Sequence, residues 1–290
     1  MGTALDLDLA CHVNVLVPDA APERLDPALA VLARLGFRRA VLPPIDPSGT
    51  DLAAIAAVFR SHGLAPITIA GQAPGADISS DDPGEAAAGA VALRATLAAT
   101  VALGGDQMNG VPYGLFGSPG AATSTRRIER AAKTMGEIAD EAHECGVMMT
   151  FEVLNRYETS VVNTAEQAMA LAELSGSPRL KIHLDTFHMA VEEADLSAAI
   201  RTALPRLGFL ELGQSGRGML ATGAVDVPTL IAQALADGYE GRWGVEAFSR
   251  SILTPEAADM LAIWRRPYTG GEALAADAVD VVRFALTRAR

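Results

Sequence analysis

Short apolar runs rich in β-branched residues alternate with longer stretches of helical spacing along the whole chain, the pattern of repeated strand–helix units. The runs predict strands at 11–17, 38–42, 65–70, 106–111, 147–153, 180–184, 207–212 and 243–247. A helix-compatible stretch follows each, as at 24–35, 51–62, 84–103 and 124–145. The punctuation agrees with this division. Asp51, Thr164 and Thr254 stand where a side-chain oxygen can cap a helix start, and Gly36, Gly63 and Gly146 where a left-handed residue ends one. Eight units in 290 residues leave about 36 residues each, which suits an α/β fold of the (β/α)8 TIM-barrel type with extensions. No Pro/Gly/Ser-rich linker divides the chain, so residues 1–290 read as one domain. An open doubly wound sheet shares the alternation but should begin with a glycine-rich turn. Here the first strand runs into Pro18-Asp19-Ala20-Ala21-Pro22, and neither GxGxxG nor GxxxxGK[ST] occurs anywhere.

Charge and composition narrow the partners. With 23 Lys plus Arg against 35 Asp plus Glu, the net charge is −12, which argues against nucleic acid and anionic membrane surfaces as ligands. The stretch 86–103 is apolar enough to resemble a membrane span, but Arg94 interrupts it and aromatic anchors are missing. A buried amphipathic helix of a soluble protein is therefore expected. No basic leader precedes Arg24, and two cysteines, Cys11 and Cys145, read as reduced and packed, which points to the cytoplasm.

The chemistry gathers at strand ends. In a parallel barrel, side chains at the C-terminal ends of the strands surround the active site. Glu152, Asp185, Glu211 and Glu246 each close an apolar run, spaced 33, 26 and 35 residues apart, about one unit each. This spacing predicts four carboxylates on four neighbouring strands, at matching height, facing one cavity. Unpaired negative charges so close must be protonated, paired with Lys or Arg, or neutralised by a cation. A divalent ion meets the need of all four, and an all-oxygen shell favours Mg²⁺ or Mn²⁺. Each acid by itself would read as a loop start or a helix cap.

Other polar groups cluster after the same strands. Asn155 and Glu158 follow the fifth strand, His188 the sixth, and Arg217 sits among four glycines between Gly213 and Gly223. These glycines suit a mobile loop as well as a phosphate cradle. His188, three residues past Asp185, is a candidate donor to a substrate oxygen. Arg126, Arg127, Arg130 and Lys133 read as a solvated helix face, and Met148-Met149 as barrel core. Asn109 and Tyr113 are candidate pocket residues, with turn or core roles standing equally.

Several segments together resemble the ketose 3-epimerases, the D-tagatose/D-allulose 3-epimerase group of the xylose-isomerase-like TIM barrels. They are Phe151-Glu-Val-Leu-Asn-Arg-Tyr-Glu-Thr, Val162-Asn-Thr-Ala, His183-Leu-Asp-Thr-Phe-His-Met, Glu192-Glu, Val245-Glu-Ala-Phe-Ser and Met260-Leu-Ala-Ile-Trp264. The likeness extends to Gly36-Phe37, to 77–83 and to Thr222-Gly223, nearly the whole chain. It implies a divalent metal, Mn²⁺, Mg²⁺ or Co²⁺, held by residues of strands five to eight. Glu152 and Glu246 would be ligands and also the acid/base pair that exchanges the C3 proton of a ketose through a cis-enediolate. Asp185 would be a ligand, and Glu158, His188 and Arg217 would hold the O1 and O2 end of the substrate. It also implies a homodimer or homotetramer.

Three departures qualify the likeness. Where the family has His-x-Gly-Glu in strand seven, this chain has Glu211-Leu-Gly-Gln214; Glu211 can still ligate, giving an all-carboxylate set. The first strand, Val13-Asn-Val-Leu-Val17, lacks the usual aromatic, and Val41 replaces a glutamate of strand two. A ketose-like or cyclitol substrate is therefore expected. Two alternatives share the sequence evidence: a metal-dependent lyase, dehydratase or C-glycoside-cleaving relative on the same barrel, and a non-catalytic barrel binding a sugar or a partner.

Overall fold

A computed structural model describes residues 7–288; the outermost parts of the 1–290 reading lie outside the described residues. Eight parallel strands form one sheet in sequential order: β1 Ala10–His12, β2 Arg39–Val41, β3 Ala65–Gln72, β4 Gln107–Leu115, β5 Met148–Val153, β6 Lys181–Asp185, β7 Leu207–Gly213 and β8 Arg242–Glu246. A parallel bridge between Leu9 and Trp243 brings the last strand back to the first, so the sheet curls into a barrel. Ten α-helices are present among the described residues: α1 Pro22–Leu35, α2 Leu52–His62, α3 Pro83–Leu103, α4 Thr125–Glu144, α5 Ala165–Leu174, α6 Thr186–Glu192, α7 Leu196–Ala203, α8 Val227–Ala236, α9 Pro255–Met260 and α10 Gly271–Arg288. The two beyond the expected eight are α6, which is capped by the last residue of β6, Asp185, and α9, which follows β8.

The caps work as the sequence suggests. Asp51 accepts the Ala54 N–H at 3.0 Å, Thr164 caps Gln167 and Thr254 caps Ala257, both at 3.2 Å. Gly36 and Gly63 end α1 and α2 with φ of 97° and 65°, values open to glycine at little cost.

Four expectations need correction. The first strand stops at His12, because Asn14 donates to the carbonyls of Val17 and Pro18 and turns 13–15 into a 3₁₀ coil. Arg127 and Arg130 are not merely solvated: Arg127 bonds the Ser79 carbonyl and Asp77, and Arg130 bonds the Ser79 carbonyl and Asp81, clamping the segment before α3. α3 is not a buried amphipathic helix; it is Ala-rich all round, long and apolar enough by composition to cross a membrane. It packs on β3, leaves Val91 and Val101 exposed, and ties Arg94 to Glu141 of α4. Cys145 is exposed at the end of α4, whereas Cys11 is buried.

The N-terminal end of the barrel is closed by ionic groups. Asp106 accepts from Arg242 Nη2 at 2.7 Å and from Arg39 Nη2 at 3.2 Å; Arg39 Nε also bonds Asp8 at 2.9 Å, and Arg242 Nη1 reaches Gln107 at 2.8 Å. Above this floor Ala10, Val41, Ile67 and Phe209 pack inside the barrel. Val41 thus belongs to the interior layer and does not wall a substrate pocket.

Candidate active site

All four predicted carboxylates lie at the C-terminal ends of their strands. Asp185 and Glu211 are register partners; Glu152 pairs with His183, and Glu246 with Gly213. The four therefore step around the rim with the barrel's stagger instead of standing at one height. Ligand atoms of Glu152 lie within 4.8 Å of those of Asp185 and of Glu211, and those of Glu211 within 4.8 Å of Glu246. Two glycines make the room. A Cβ on Gly213 would stand 2.6 Å from Asp185 Oδ1, and one on Gly244 2.4 Å from Glu211 Oε1, so any larger residue there would displace a carboxylate.

Imidazoles and a guanidinium surround the acids. His12 Nε2 stands 2.9 Å from Glu211 Oε1, and His183 Nε2 3.1 Å from Glu211 Oε2. Burial alone would raise the Glu211 carboxyl; the two imidazoles outweigh it and hold the group well below the usual carboxylate range. Glu152 is lowered in the same way, with burial opposed by His183 and His188. Asp185 is raised, because burial and the Glu211 and Glu152 charges outweigh His188 and Arg217. His183 is raised: desolvation works against its charged form, and Glu152 and Glu211 more than restore it.

His188 Nδ1 accepts the Asn155 backbone N–H at 3.1 Å, which puts the ring proton on Nε2. That edge faces Glu152 Oε1 at 3.5 Å, Asp185 Oδ2 at 3.7 Å and Glu158 Oε2 at 3.9 Å. Asn155 also holds Glu158 through Nδ2 at 3.1 Å. Arg217, at φ 53°, lays its guanidinium 3.7 Å over the Phe187 ring and pairs with Asp185 and Glu246. Gln214 is consumed inside the same loop, bonding the Leu220 and Val225 carbonyls. Tyr113 is buried with its hydroxyl donating to the Glu152 carbonyl, and Asn109 accepts from Gln107 and Thr150; both brace the strands beneath the acids. Over the site opens a cavity of about 470 Å³, whose walls include Glu158, Phe187, Arg217, Phe248 and Trp264.

The sequence reading missed His12 and His183 as parts of this centre. Their signal was present: each is an ionisable residue inside an apolar strand, and His183 lies two residues before Asp185, on the same strand face.

Several buried atoms here make no hydrogen bond: His12 Nε2, both His183 nitrogens, both Glu211 oxygens and Glu246 Oε2. Buried polar atoms are rarely left so, and a cluster of carboxylate oxygens and imidazole nitrogens that do not bond to one another fits a cation.

Comparison with known proteins agrees with this chemistry. The model of the xylose isomerase-like TIM barrel family matches residues 29–268. A ketose 3-epimerase of Arthrobacter globiformis is 32% identical, over 97% of this chain and 97% of its own. An L-ribulose 3-epimerase of Mesorhizobium japonicum is 33% identical, over 97% and 95%. The chain belongs to the ketose 3-epimerases. The crystal structure of a D-allulose 3-epimerase from Methylomonas sp. in complex with D-allulose superposes with a TM-score of 0.91 at 29% identity, covering 98% of this chain and 99% of that one. In this epimerase, then, the rim of acids, imidazoles and one guanidinium lies at the barrel end where the fold places catalysis.

Proposed function

We propose that the chain epimerises a ketose or a ketose-like polyol at C3, using Glu152 and Glu246 as the two proton-transfer groups. The observation that carries this reading is that both Glu211 oxygens and Glu246 Oε2 are buried without hydrogen bonds, in a rim where Glu152 stands within ligand distance of Asp185 and of Glu211, and Glu211 of Glu246. Glu152, Asp185, Glu211 and Glu246 would hold a divalent ion, Mn²⁺ or Mg²⁺ with Co²⁺ as a third choice. When bound, such an ion offsets the like charges and polarises the carbonyl next to the carbon that loses its proton.

The side chains supply the rest. Glu152 on β5 and Glu246 on β8 flank the centre from strands on either side of Asp185 and Glu211, an arrangement suited to removing a proton from one face of C3 and returning one to the other. The Nε2–H of His188 faces the acids and is placed to donate to a substrate oxygen as charge develops on it. Arg217 and Glu158 border the cavity beside it and orient the O1 and O2 end. Phe187, Phe248 and Trp264 give the cavity apolar walls that exclude water from the reacting carbon.

The same reading makes the protein a cytoplasmic homodimer or homotetramer; exposed Trp264 in the cavity wall, and exposed Met260 four residues before it, suit an assembly. The test of the activity is deuterium exchange followed by NMR over free and phosphorylated ketoses and inososes, with Mn²⁺ or Mg²⁺ and with EDTA. Metal-dependent deuterium at C3, with recovery of two stereoisomers of equal mass, is the expected result. An unsaturated or cleaved product would replace this reading with the lyase; no exchange on any compound would sink it.

A further inference from the structure

One cluster of metal-ligating groups reaches beyond β5 to β8. It joins His12 of β1 to Glu211 and Glu246, with one ligand atom from each within 4.8 Å of the others. His12 is 4% exposed and meets Phe248 edge-on, with ring centroids 6.4 Å apart. Its Nε2 lies 2.9 Å from Glu211 Oε1 and its Nδ1 3.8 Å from Glu246 Oε1.

The 2.9 Å contact has the length of a hydrogen bond without its alignment. Neither His12 Nε2 nor either Glu211 oxygen has a hydrogen-bond partner, and Glu246 Oε2 has only its ion pair with Arg217. An imidazole and a carboxylate serving only as counter-charges gain by turning the N–H onto the oxygen, and burying them unaligned is costly. Ligands cis to one another on an octahedral ion behave differently. With bonds of about 2.1 Å they stand about 3 Å apart, and both point at the ion between them.

We propose that His12 is a direct ligand of the metal centre, adding a nitrogen from β1 to the carboxylate oxygens of β5 to β8. The inference rests on the reading of that centre as a metal site. It has a consequence for selectivity: an imidazole nitrogen suits transition ions better than the harder Mg²⁺, so His12 would tilt the centre towards Mn²⁺ or Co²⁺ and away from Mg²⁺.

Pulsed EPR on the Mn²⁺-loaded enzyme reads this directly, as ¹⁴N coupling from an inner-shell imidazole. The coupling is expected in the wild type, to persist in His183→Asn and His188→Asn, and to vanish in His12→Ala and in the bulkier His12→Phe. By calorimetry, the same two His12 variants should bind Mn²⁺ about tenfold more weakly or worse, with a smaller loss for Mg²⁺. If neither His12 variant folds, coupling that survives both other substitutions still assigns the nitrogen to His12, and coupling lost in either one overturns the proposal. Coupling that survives in a folded His12 variant, or a metal-loaded wild type without any, also overturns it while leaving the metal site standing. A wild type that binds no Mn²⁺ sinks this proposal and the metal reading together.

Discussion

The two ends of the barrel use charge in opposite ways. At the N-terminal floor, Asp8, Asp106, Arg39 and Arg242 alternate in sign and share hydrogen bonds. At the C-terminal rim, four acids crowd together, and several of their oxygens, with the facing imidazole nitrogens, bond to nothing. The floor is arranged for stability, because each charge is answered in place. The rim stores unmet electrostatic demand, and the enzyme's chemistry consists of meeting it with a cation and a substrate.

The comparison can be broken from either side. Glu246→Gln removes one of the two proposed proton-transfer groups, and kcat should fall by about 10³-fold or more; because the substitution also relieves like-charge crowding, the melting temperature should stay the same or rise. A calorimetric scan beside the rate assay checks both halves. Metal removal comes next. EDTA should abolish turnover and Mn²⁺ restore it, with the loaded form stabilised by about 2.7 kcal/mol at a hundredfold excess over Kd; denaturant titration with and without metal measures the gap.

At the floor the pattern inverts. Arg242→Met leaves the buried Gln107 Oε1 without its donor and Asp106 with Arg39 alone, and should cost about 2 kcal/mol of stability, leaving kcat of the surviving folded enzyme unchanged. The smallest effect sharpens the contrast through pH. Burial pushes the Asp106 carboxyl up, and Arg39 and Arg242 more than reverse this, so its folded value is depressed. Its contribution is therefore complete above the unfolded carboxyl's value of about 3.9 and fades as pH falls through the folded one. Asp106→Asn should then be less stable than wild type at pH 7 by about 1 kcal/mol or less, since the side chain is 42% exposed. The two stability curves should converge below about pH 4; a gap that persists in acid would mean that packing, not charge, is what the substitution removed.

Much of this was legible in the sequence, for identifiable reasons. Strand centres and helix caps are local, so Asp51 and Gly36 announce their roles, and unit spacing was enough to gather the four acids. What stayed hidden depends on neighbours distant in the chain. His12 reads as one more residue in an apolar run until β1 is seen to stop there and face β7. Arg127 and Arg130 have the spacing of a solvated face, and only the fold brings Ser79 and Asp81 beneath them. The rim's staggered heights follow from strand tilt, which residue counting cannot supply. Val41 shows the converse: standing where the family has a glutamate of strand two, it suggested a changed substrate, and packing against Phe209 put it inside the barrel.

The seam between β1 and β8, closed by the Leu9–Trp243 bridge, has a consequence for biosynthesis. His12 precedes Glu246 by 234 residues along the chain, and the two meet across that seam. A nascent chain, or one truncated before its last strand, holds its acids on separate segments and cannot assemble the complete centre. Cation capture by the whole set of rim acids is thereby deferred until β8 has been made and the barrel shuts.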